Sequence, residues 1–199
     1  MRVVFVTDPM CSWCFGMSRE IETLLAEDGD RYHFDFALGG INVDAERPVS
    51  DRARTYLQRL WRSVEETTGT QFAAQVPTGF IYNSTPACRA VHAMRELRGA
   101  PPFGYLHALQ QAFFQHGHDI GASDLLAGMA SDFGVARADF VAACESPAVE
   151  ARLRREFAES RRYGTNALPS VLVDGGDGPR LLAGGYVSAA VLRETLATC

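Results

Sequence analysis

The composition of this chain excludes several classes of protein before any motif is considered. Its 199 residues are 47% hydrophobic and 22% charged, which is enough for one domain with a sizeable core. The net charge is -5 and the 19 basic residues are all arginines interspersed with acids, so we expect no nucleic-acid partner. No stretch reaches about 18 consecutive apolar residues, so we expect no membrane association. The N-terminal apolar run at residues 3–6 is too short for a signal peptide. These features predict a cytoplasmic protein whose five cysteines are reduced thiols rather than structural disulfides.

The N-terminal part of the sequence predicts a strand, a helix and a second strand. Residues 3–6 are apolar on both faces, which is typical of a central strand covered by helices on both sides. From Cys14 to Asp28 the apolar residues recur at helical spacing, and residues 33–38 then alternate between polar and apolar. The two strands should lie parallel in one sheet, joined by a right-handed crossover.

About a hundred residues of helical pattern follow. Helices are predicted at residues 53–64, 85–97, 106–114, 125–133, 140–144 and 149–163. The predicted buried face of the first includes Tyr56, and that of the second extends to Leu97. Ser84 or Thr85 can cap the second helix. Residues 69–83 interrupt the helices with a loop long enough to be a lid or a rim.

The pattern returns to β-structure near the C-terminus. Residues 168–174 form a β-rich run that ends in a Gly-Gly-Asp-Gly turn, residues 181–183 can pair with it, and a last helix begins at Ser188. The whole order predicts an α/β fold in which a helical block is inserted between a βαβ unit and a ββα unit. Residues 1–45 and 164–199 would form the first domain, and residues 46–163 the inserted helical subdomain.

Cys11 and Cys14 lie at the junction between the first strand and the first helix. At a helix N-terminus the free backbone N–H groups and the helix dipole favour a thiolate, so Cys11 is predicted to be the attacking thiol. Cys14 follows one turn later, close enough to form a disulfide yet shielded by its own helix. It is therefore predicted to be the resolving thiol, with a redox-active Cys11–Cys14 disulfide and no bound cofactor.

Half of a zinc site is the alternative explanation for a Cys-x-x-Cys motif. Zinc needs four ligands, but Cys88, Cys144 and Cys199 are isolated in the sequence, and His116 and His118 lie in a turn between helices. The placement between a strand and a helix is instead what a redox motif requires. We therefore expect no metal.

Four further residues are candidates for the same site. Asp8 could tune Cys11 or accept a proton during resolution, although Asp-Pro after a strand is also ordinary turn chemistry. Cys88 could be a third thiol facing the site, but packing is the favoured explanation. Trp13 is most simply a wall beside the thiols. Pro169 cannot donate to a central ladder and belongs at the start of a strand, where these residues alone favour a trans peptide over a cis one.

Several motifs together resemble a known family. They are Asp-Pro-Met-Cys-Ser-Trp-Cys-Phe-Gly at 8–16, Ala-Leu-Gly-Gly at 37–40, Pro-Ala-Cys-Arg-Ala-Val at 86–91 and Gly-His-Asp-Ile at 117–120. With the order of elements, they resemble the DsbA-like branch of the thioredoxin superfamily. More narrowly, the chain is similar to bacterial cytoplasmic proteins called predicted protein-disulfide isomerases, which are related to FrnE-like and 2-hydroxychromene-2-carboxylate isomerase proteins. The resemblance covers essentially the whole chain.

The resemblance implies more about the site than the residues do. In that superfamily the proline matching Pro169 is cis and packs against the cysteine pair, and the backbone of the residue matching Leu168 pairs with the substrate. It therefore implies a cis Pro169 and a substrate-binding surface made of Ser12, Trp13, Leu168 and Pro169. Two departures stand out. Ser12-Trp13 is neither the Gly-Pro of thioredoxin nor the Pro-His of DsbA, so no redox potential carries over, and the strand that usually precedes the βαβ unit is absent.

The sequence is compatible with three functions. The first is dithiol-disulfide exchange with protein or small-molecule disulfides, as a reductase or isomerase because the cytosol is reducing. The second is a glutathione-dependent isomerase or transferase, with glutathione as co-substrate; such relatives usually keep a single Ser or Cys where this chain has two cysteines. The third is an adaptor that holds a client protein with the helical insertion, an activity that would survive loss of both cysteines.

Overall fold

The computed structural model describes residues 1–163 and 167–199. In chain order its elements are β1 (Arg2–Thr7), α1 (Ser12–Gly16), α2 (Ser18–Asp28), β2 (His33–Leu38), α3 (Asp51–Thr68), α4 (Thr85–Arg98), α5 (Phe103–Phe114), α6 (Ser123–Asp132), α7 (Arg137–Cys144), α8 (Pro147–Ser160), β3 (Ser170–Asp174), β4 (Arg180–Gly184) and α9 (Ala189–Ala197). The predicted helix from Cys14 to Asp28 is divided at Met17. The Ser18 hydroxyl donates to the Phe15 carbonyl over 2.8 Å at this division, a local hydrogen bond that competes with the helical pattern.

The four strands form one mixed sheet in the order β2-β1-β3-β4. β1 and β2 are parallel, with Val3 opposite Phe34, as expected for strands joined by a crossover helix. β3 runs antiparallel to β1, with Val6 opposite Ser170, and forms a hairpin with β4. The βαβ and ββα units are therefore confirmed. β1 is central, which explains its run of valines and phenylalanine buried on both faces.

Helices α3 to α8 come between β2 and β3 in the chain, so the α/β fold with a helical insertion is confirmed. α8 ends at Ser160, three residues before the predicted end at Tyr163. The division into domains at residues 45/46 and 163/164 stays a prediction, and residue 164 lies outside the described residues.

An aromatic cluster joins the helical insertion to α1. The ring of Phe15 on α1 stacks on that of Phe114 on α5, with centroids 5.1 Å apart and planes 12° apart. Trp61 on α3 and Phe72 in the following loop meet Phe114 edge-on, at 5.1 Å and 5.2 Å. Such arrangements add to the hydrophobic gain of burial, so this cluster fixes α1 against the insertion.

Gly16 ends α1 where that helix approaches α3 most closely. A Cβ atom on Gly16 would lie 2.7 Å from Cγ1 of Val64 and 3.0 Å from Cγ2 of Thr68. Both distances are shorter than carbon–carbon contact allows. The absence of a side chain therefore lets the helix that carries Cys14 lie directly against the insertion.

Two residues predicted to be buried are exposed. Tyr56 on α3 is 64% exposed because it lies about 100° around the helix from the neighbouring Leu57, which with Trp61 and Val64 forms the buried stripe. Leu97 is 42% exposed because it lies in the last turn of α4, beyond the buried stretch that ends at Met94.

Candidate active site

The two cysteines of the Cys-x-x-Cys motif differ in position and exposure. Cys11 is the N-cap of α1, in extended conformation, and its Sγ accepts a hydrogen bond of 3.2 Å from the backbone N–H of Cys14. The Cys11 N–H in turn donates to the carbonyl of Asp8 over 3.1 Å, which closes the turn between β1 and α1. Cys11 is 6% exposed and Cys14 is 1% exposed. The outer sulfur therefore faces a helix N–H, and the inner sulfur lies beneath it.

The inner thiol is held in its protonated form. Burial, followed by the neighbouring Cys11 sulfur, raises the pKa of Cys14 well above its ordinary value. A hydrogen bond with the Thr7 side chain lowers that pKa, and the charge of Asp8 raises it. Thr7 was not a candidate in the sequence, since a threonine that ends a strand carries no signal of function. The structure thus brings Thr7 and Asp8 to Cys14.

A cavity of about 160 Å³ borders the inner thiol on the side of the helical insertion. It lies between α2 and α5 and its walls are largely apolar, formed by Ile21, Leu25, Phe103, Leu106 and their neighbours. Thr7 and Cys14 also line it, and His107, paired with Glu22 over 3.4 Å, lines it with them. Cys14 is therefore bordered by the sheet on one side and by an apolar space on the other.

Asp8 is a completely buried carboxyl whose oxygens accept several hydrogen bonds. Oδ1 accepts from the Met10 N–H over 2.8 Å. Oδ2 accepts from the Ser84 hydroxyl over 2.7 Å and from the Ile41 N–H over 3.1 Å, and the Cys88 sulfur lies 3.5 Å from the same oxygen. Burial raises the pKa of Asp8, and these donors oppose the rise without cancelling it. The Asp-Pro turn is present, and it contains an acid placed beside the thiols.

The helical insertion supplies two of the groups around Asp8. Cys88 on α4 is fully buried, and burial raises its pKa well above the ordinary value, so it serves as a weak S–H donor at neutral pH. Ser84 precedes α4 at the cap position but makes no capping bond, which contradicts one of the two predicted caps. Thr85, the other candidate, is the first helical residue, and its N–H donates to Oδ1 of Asn83 over 2.9 Å. Asn83 is therefore the side chain that caps α4.

The loop at residues 69–83 also contacts the motif. The Tyr82 hydroxyl donates to the Met10 carbonyl over 2.8 Å, immediately before Cys11. Burial raises the pKa of Tyr82 well above its ordinary value, and the charges of Cys11 and Asp8 add to the rise. Tyr82 was not identified from the sequence as a site residue, because only the tertiary structure brings it within reach of residue 10.

Leu168 and Pro169 lie at the start of β3, beside the end of β1. The Leu168–Pro169 peptide bond is cis, as the family resemblance implied, whereas the residues alone favoured a trans bond. Val6 faces Ser170 in the antiparallel pair, so one further step places Pro169 next to Thr7. A Cβ on Gly39 would lie 2.7 Å from Cδ1 of Leu168, so this glycine leaves room for the leucine side chain.

The remaining candidates are distributed as follows. Ser12 is buried in the first turn of α1, and Trp13 beside it is half-buried. Cys144 is half-buried, and Cys199, His116 and His118 are exposed. Within residues 1–163 and 167–199, no three His, Cys, Asp or Glu side chains are grouped so that they could hold a metal ion. Over the same part of the chain, no helix is both long and apolar enough to cross a membrane.

Comparison with known proteins places this site in a class. The family model described as DSBA-like thioredoxin domain matches residues 2–197. The chain therefore belongs to the DsbA-like thioredoxin family, which is a family of thiol-disulfide oxidoreductases, and its Cys11–Cys14 pair has the spacing of a Cys-x-x-Cys motif.

Solved structures of three proteins illustrate the relationship. A candidate protein disulfide isomerase from Nitrosomonas europaea is 30% identical, with a TM-score of 0.90, over 99% of this chain and 96% of that one. The cytosolic disulfide reductase DsbM from Pseudomonas aeruginosa, also crystallised with GSH, is 21% identical with a TM-score of 0.78 over the full length of both chains. A 2-hydroxychromene-2-carboxylate isomerase is 16% identical with a TM-score of 0.63, covering 100% of this chain and 94% of that one. At 21% and 16% identity, the likeness to the last two proteins shows a shared fold and no more. No curated protein matches this chain.

Proposed function

We propose that this protein is a cytoplasmic thiol-disulfide oxidoreductase of the reductase or isomerase type, which exchanges disulfides through Cys11 and Cys14. The observation that carries the proposal is the asymmetry of the pair. Both residues are buried, but the Cys11 sulfur accepts a backbone N–H at the start of α1, whereas the pKa of the Cys14 thiol is raised well above its ordinary value. Cys11 is thus suited to attack a substrate disulfide, and Cys14 is suited to resolve the mixed disulfide afterwards.

The proposed reaction has two exchange steps. The Cys11 thiolate attacks one sulfur of a substrate disulfide, a mixed disulfide forms, and the other substrate sulfur leaves as a thiolate that takes a proton from solvent. Cys14 then loses its proton and attacks the Cys11 sulfur, which forms the Cys11–Cys14 disulfide and releases the second substrate thiol. The substrate gains two electrons and the protein loses two. A thiol reductant reverses this oxidation of the protein.

Asp8 is the proposed acceptor of the Cys14 proton. Its own pKa is raised by burial, so it holds a proton more readily than a free carboxyl does, and its charge acts on Cys14. The hydroxyl of Thr7, bonded to Cys14, or one bridging water would complete the path. Asp8→Asn is expected to slow the second exchange step at neutral pH while leaving the first step near its wild-type rate.

The proposed substrate surface consists of Ser12, Trp13, Leu168 and Pro169. Trp13 is half-buried and lies two residues after Cys11 in the sequence, which suits an apolar neighbour of a substrate disulfide. The backbone of Leu168 would pair with an extended substrate chain, a recognition mode that depends on main-chain hydrogen bonds and so accepts many protein sequences.

Glutathione is the proposed small co-substrate. A groove of about 290 Å³ beside Leu168 is also lined by Asn42 and Arg161. Arg161 forms no ion pair among the residues that the structure describes, so its guanidinium is available for a carboxylate. Arg161→Ala is expected to raise the KM for glutathione several-fold. The matched control is Arg162→Ala, which removes the neighbouring exposed arginine that does not line the groove.

The first test is the pH dependence of iodoacetamide alkylation of the reduced protein, with each modified cysteine located by mass. Comparing wild type with Cys14→Ser separates the two thiols of the motif. We expect Cys11 to react first and faster than free cysteine at neutral pH, because its sulfur accepts a backbone N–H at the start of α1. A Cys11 that is inert, or that reacts like free cysteine, would refute the proposal.

A second test separates the alternative functions. Reduction of insulin disulfides should be lost in both Cys11→Ser and Cys14→Ser. A glutathione-dependent isomerase would keep activity in Cys14→Ser, because it needs one nucleophile or none. An adaptor would show no reductase activity in wild type, and its client binding would survive the double replacement.

A further inference from the structure

Ser84 lies at the N-cap position of α4, where a serine usually caps the helix with its hydroxyl. At a helix N-cap the backbone is ordinarily extended and the hydroxyl accepts an N–H from the first turn. Ser84 has φ -82° and ψ -4°, and its side chain makes no capping bond to α4. Asn83 provides the side-chain acceptor instead. Ser84 is fully buried and yet does not cap α4, which points to a role in the site instead.

The surroundings of the Ser84 hydroxyl fit two protonation states of Asp8. The Ser84 Oγ lies 2.7 Å from Oδ2 of Asp8 and 3.3 Å from the Ile41 carbonyl oxygen, and it accepts the Ile41 N–H over 2.8 Å. When Asp8 is ionised, the hydroxyl donates to its carboxylate. When Oδ2 is protonated, Asp8 donates to Oγ, and the hydroxyl turns to the Ile41 carbonyl. No polar group is left without a partner in either state.

We propose that Ser84 is a positioning residue that lets Asp8 gain and lose its proton during the resolving step, by turning its hydroxyl between Asp8 and Ile41. The inference rests on the proposed exchange function and deepens it, because it assigns to the helical insertion a part in the chemistry of the thiols. Without this hydroxyl, ionised Asp8 would lose its shortest hydrogen bond.

The other titratable groups that face Asp8 are few. Cys88 comes from α4, Tyr82 from the preceding loop, and Cys11 and Cys14 from the motif. The pKa values of Cys88 and Tyr82 are both raised well above their ordinary values, so both stay protonated at neutral pH. Gln110 on α5, which donates to the Asp8 carbonyl over 3.4 Å, does not titrate. A pH effect on the second step that is absent from the first therefore reports Asp8 and Cys14.

The test is stopped-flow reaction of reduced protein with Ellman's reagent, from about pH 5 to about pH 9. With Cys144 and Cys199 replaced by serine in every variant, the first thionitrobenzoate released reports attack by Cys11, and the second reports resolution by Cys14. Ser84→Ala should move the pH midpoint of the second phase upward by about one unit, which is about a tenfold slower second phase below that midpoint. The first phase should be unchanged. Ser84→Thr, which keeps a hydroxyl, should restore the midpoint.

Controls separate the inference from plain destabilisation. Ser188→Ala removes the N-cap of α9, far from Asp8 in the sequence and in another element, and should lower stability without moving the midpoint, and Ser131→Ala on α6 should change neither. If Ser84→Ala does not fold, Ser84→Gly removes the same hydroxyl without adding a thiol and should shift the midpoint in the same direction. A wild-type midpoint in Ser84→Ala, or a shift that Ser84→Thr fails to restore, overturns the inference. Absence of a Cys14-dependent second phase in wild type instead overturns the proposed function.

Discussion

Replacing Gly16 by alanine should test how closely α1 is packed against the insertion. Glycine to alanine within a helix normally stabilises by about 0.5–1 kcal/mol. At Gly16 the new Cβ would lie 2.7 Å from Cγ1 of Val64, and overpacking of this kind costs about 1–3 kcal/mol. The matched control is Gly128 on α6, where a Cβ meets nothing within 4 Å. The free energy of unfolding of Gly16→Ala should therefore fall below that of Gly128→Ala by about 1–3 kcal/mol.

Urea unfolding followed by circular dichroism measures this difference, and thermal unfolding should separate the two variants by roughly 2–4 °C for each kcal/mol. A double-mutant cycle with Val64→Ala, which removes the opposing methyl group, should recover at least about 1 kcal/mol of the loss. The reasoning is refuted if Gly16→Ala is as stabilising as Gly128→Ala, or if the cycle shows no coupling.

Three further changes probe the substrate surface, the pH dependence of stability and the aromatic cluster. Gly39→Ala should displace the Leu168 side chain, because the added Cβ would lie 2.7 Å from its Cδ1; we expect a higher KM for a protein disulfide, with Cys11 alkylation unchanged. Arg193→Ala removes the bond to Asp28 that lowers the Asp28 pKa, so Tm should fall at neutral pH. Because the folded-state pKa is the lower one, this contribution is present above about pH 3.9 and disappears as pH falls through the folded value, where the two Tm curves should meet. Phe114→Ala should cost about 3–5 kcal/mol in urea unfolding, and a loss under 1 kcal/mol would contradict the clustered packing.

The strands and most helices could be predicted because their patterns are local. Residues 3–6 are consecutively apolar, which is typical of a buried central strand. The turn that follows β3 is indicated by four consecutive residues, Gly-Gly-Asp-Gly. The pattern does not fix the edges of a helix's buried face. Tyr56 is adjacent in sequence to a buried residue and still points away from the core, because one step along a helix turns the chain by about 100°.

The site was predicted only where its residues are neighbours in sequence. The spacing of Cys11 and Cys14 is visible in the motif, and Asp8 lies within the same turn. Thr7, Tyr82 and Ser84 carry no such signal, since threonine at a strand end, tyrosine in a loop and serine before a helix all have common structural explanations. Their contacts with the site depend on how the insertion packs on the sheet, which no local pattern specifies.

The donors to Asp8 are widely separated along the chain. Met10 lies two residues from it, Ile41 lies 33 away and Ser84 lies 76 away. During synthesis Cys11 and Cys14 are therefore made well before Ser84, whose hydroxyl donates to Asp8. The full set of donors to Asp8 therefore exists only after the insertion has packed on the sheet, so the environment of the two thiols is a property of the finished fold.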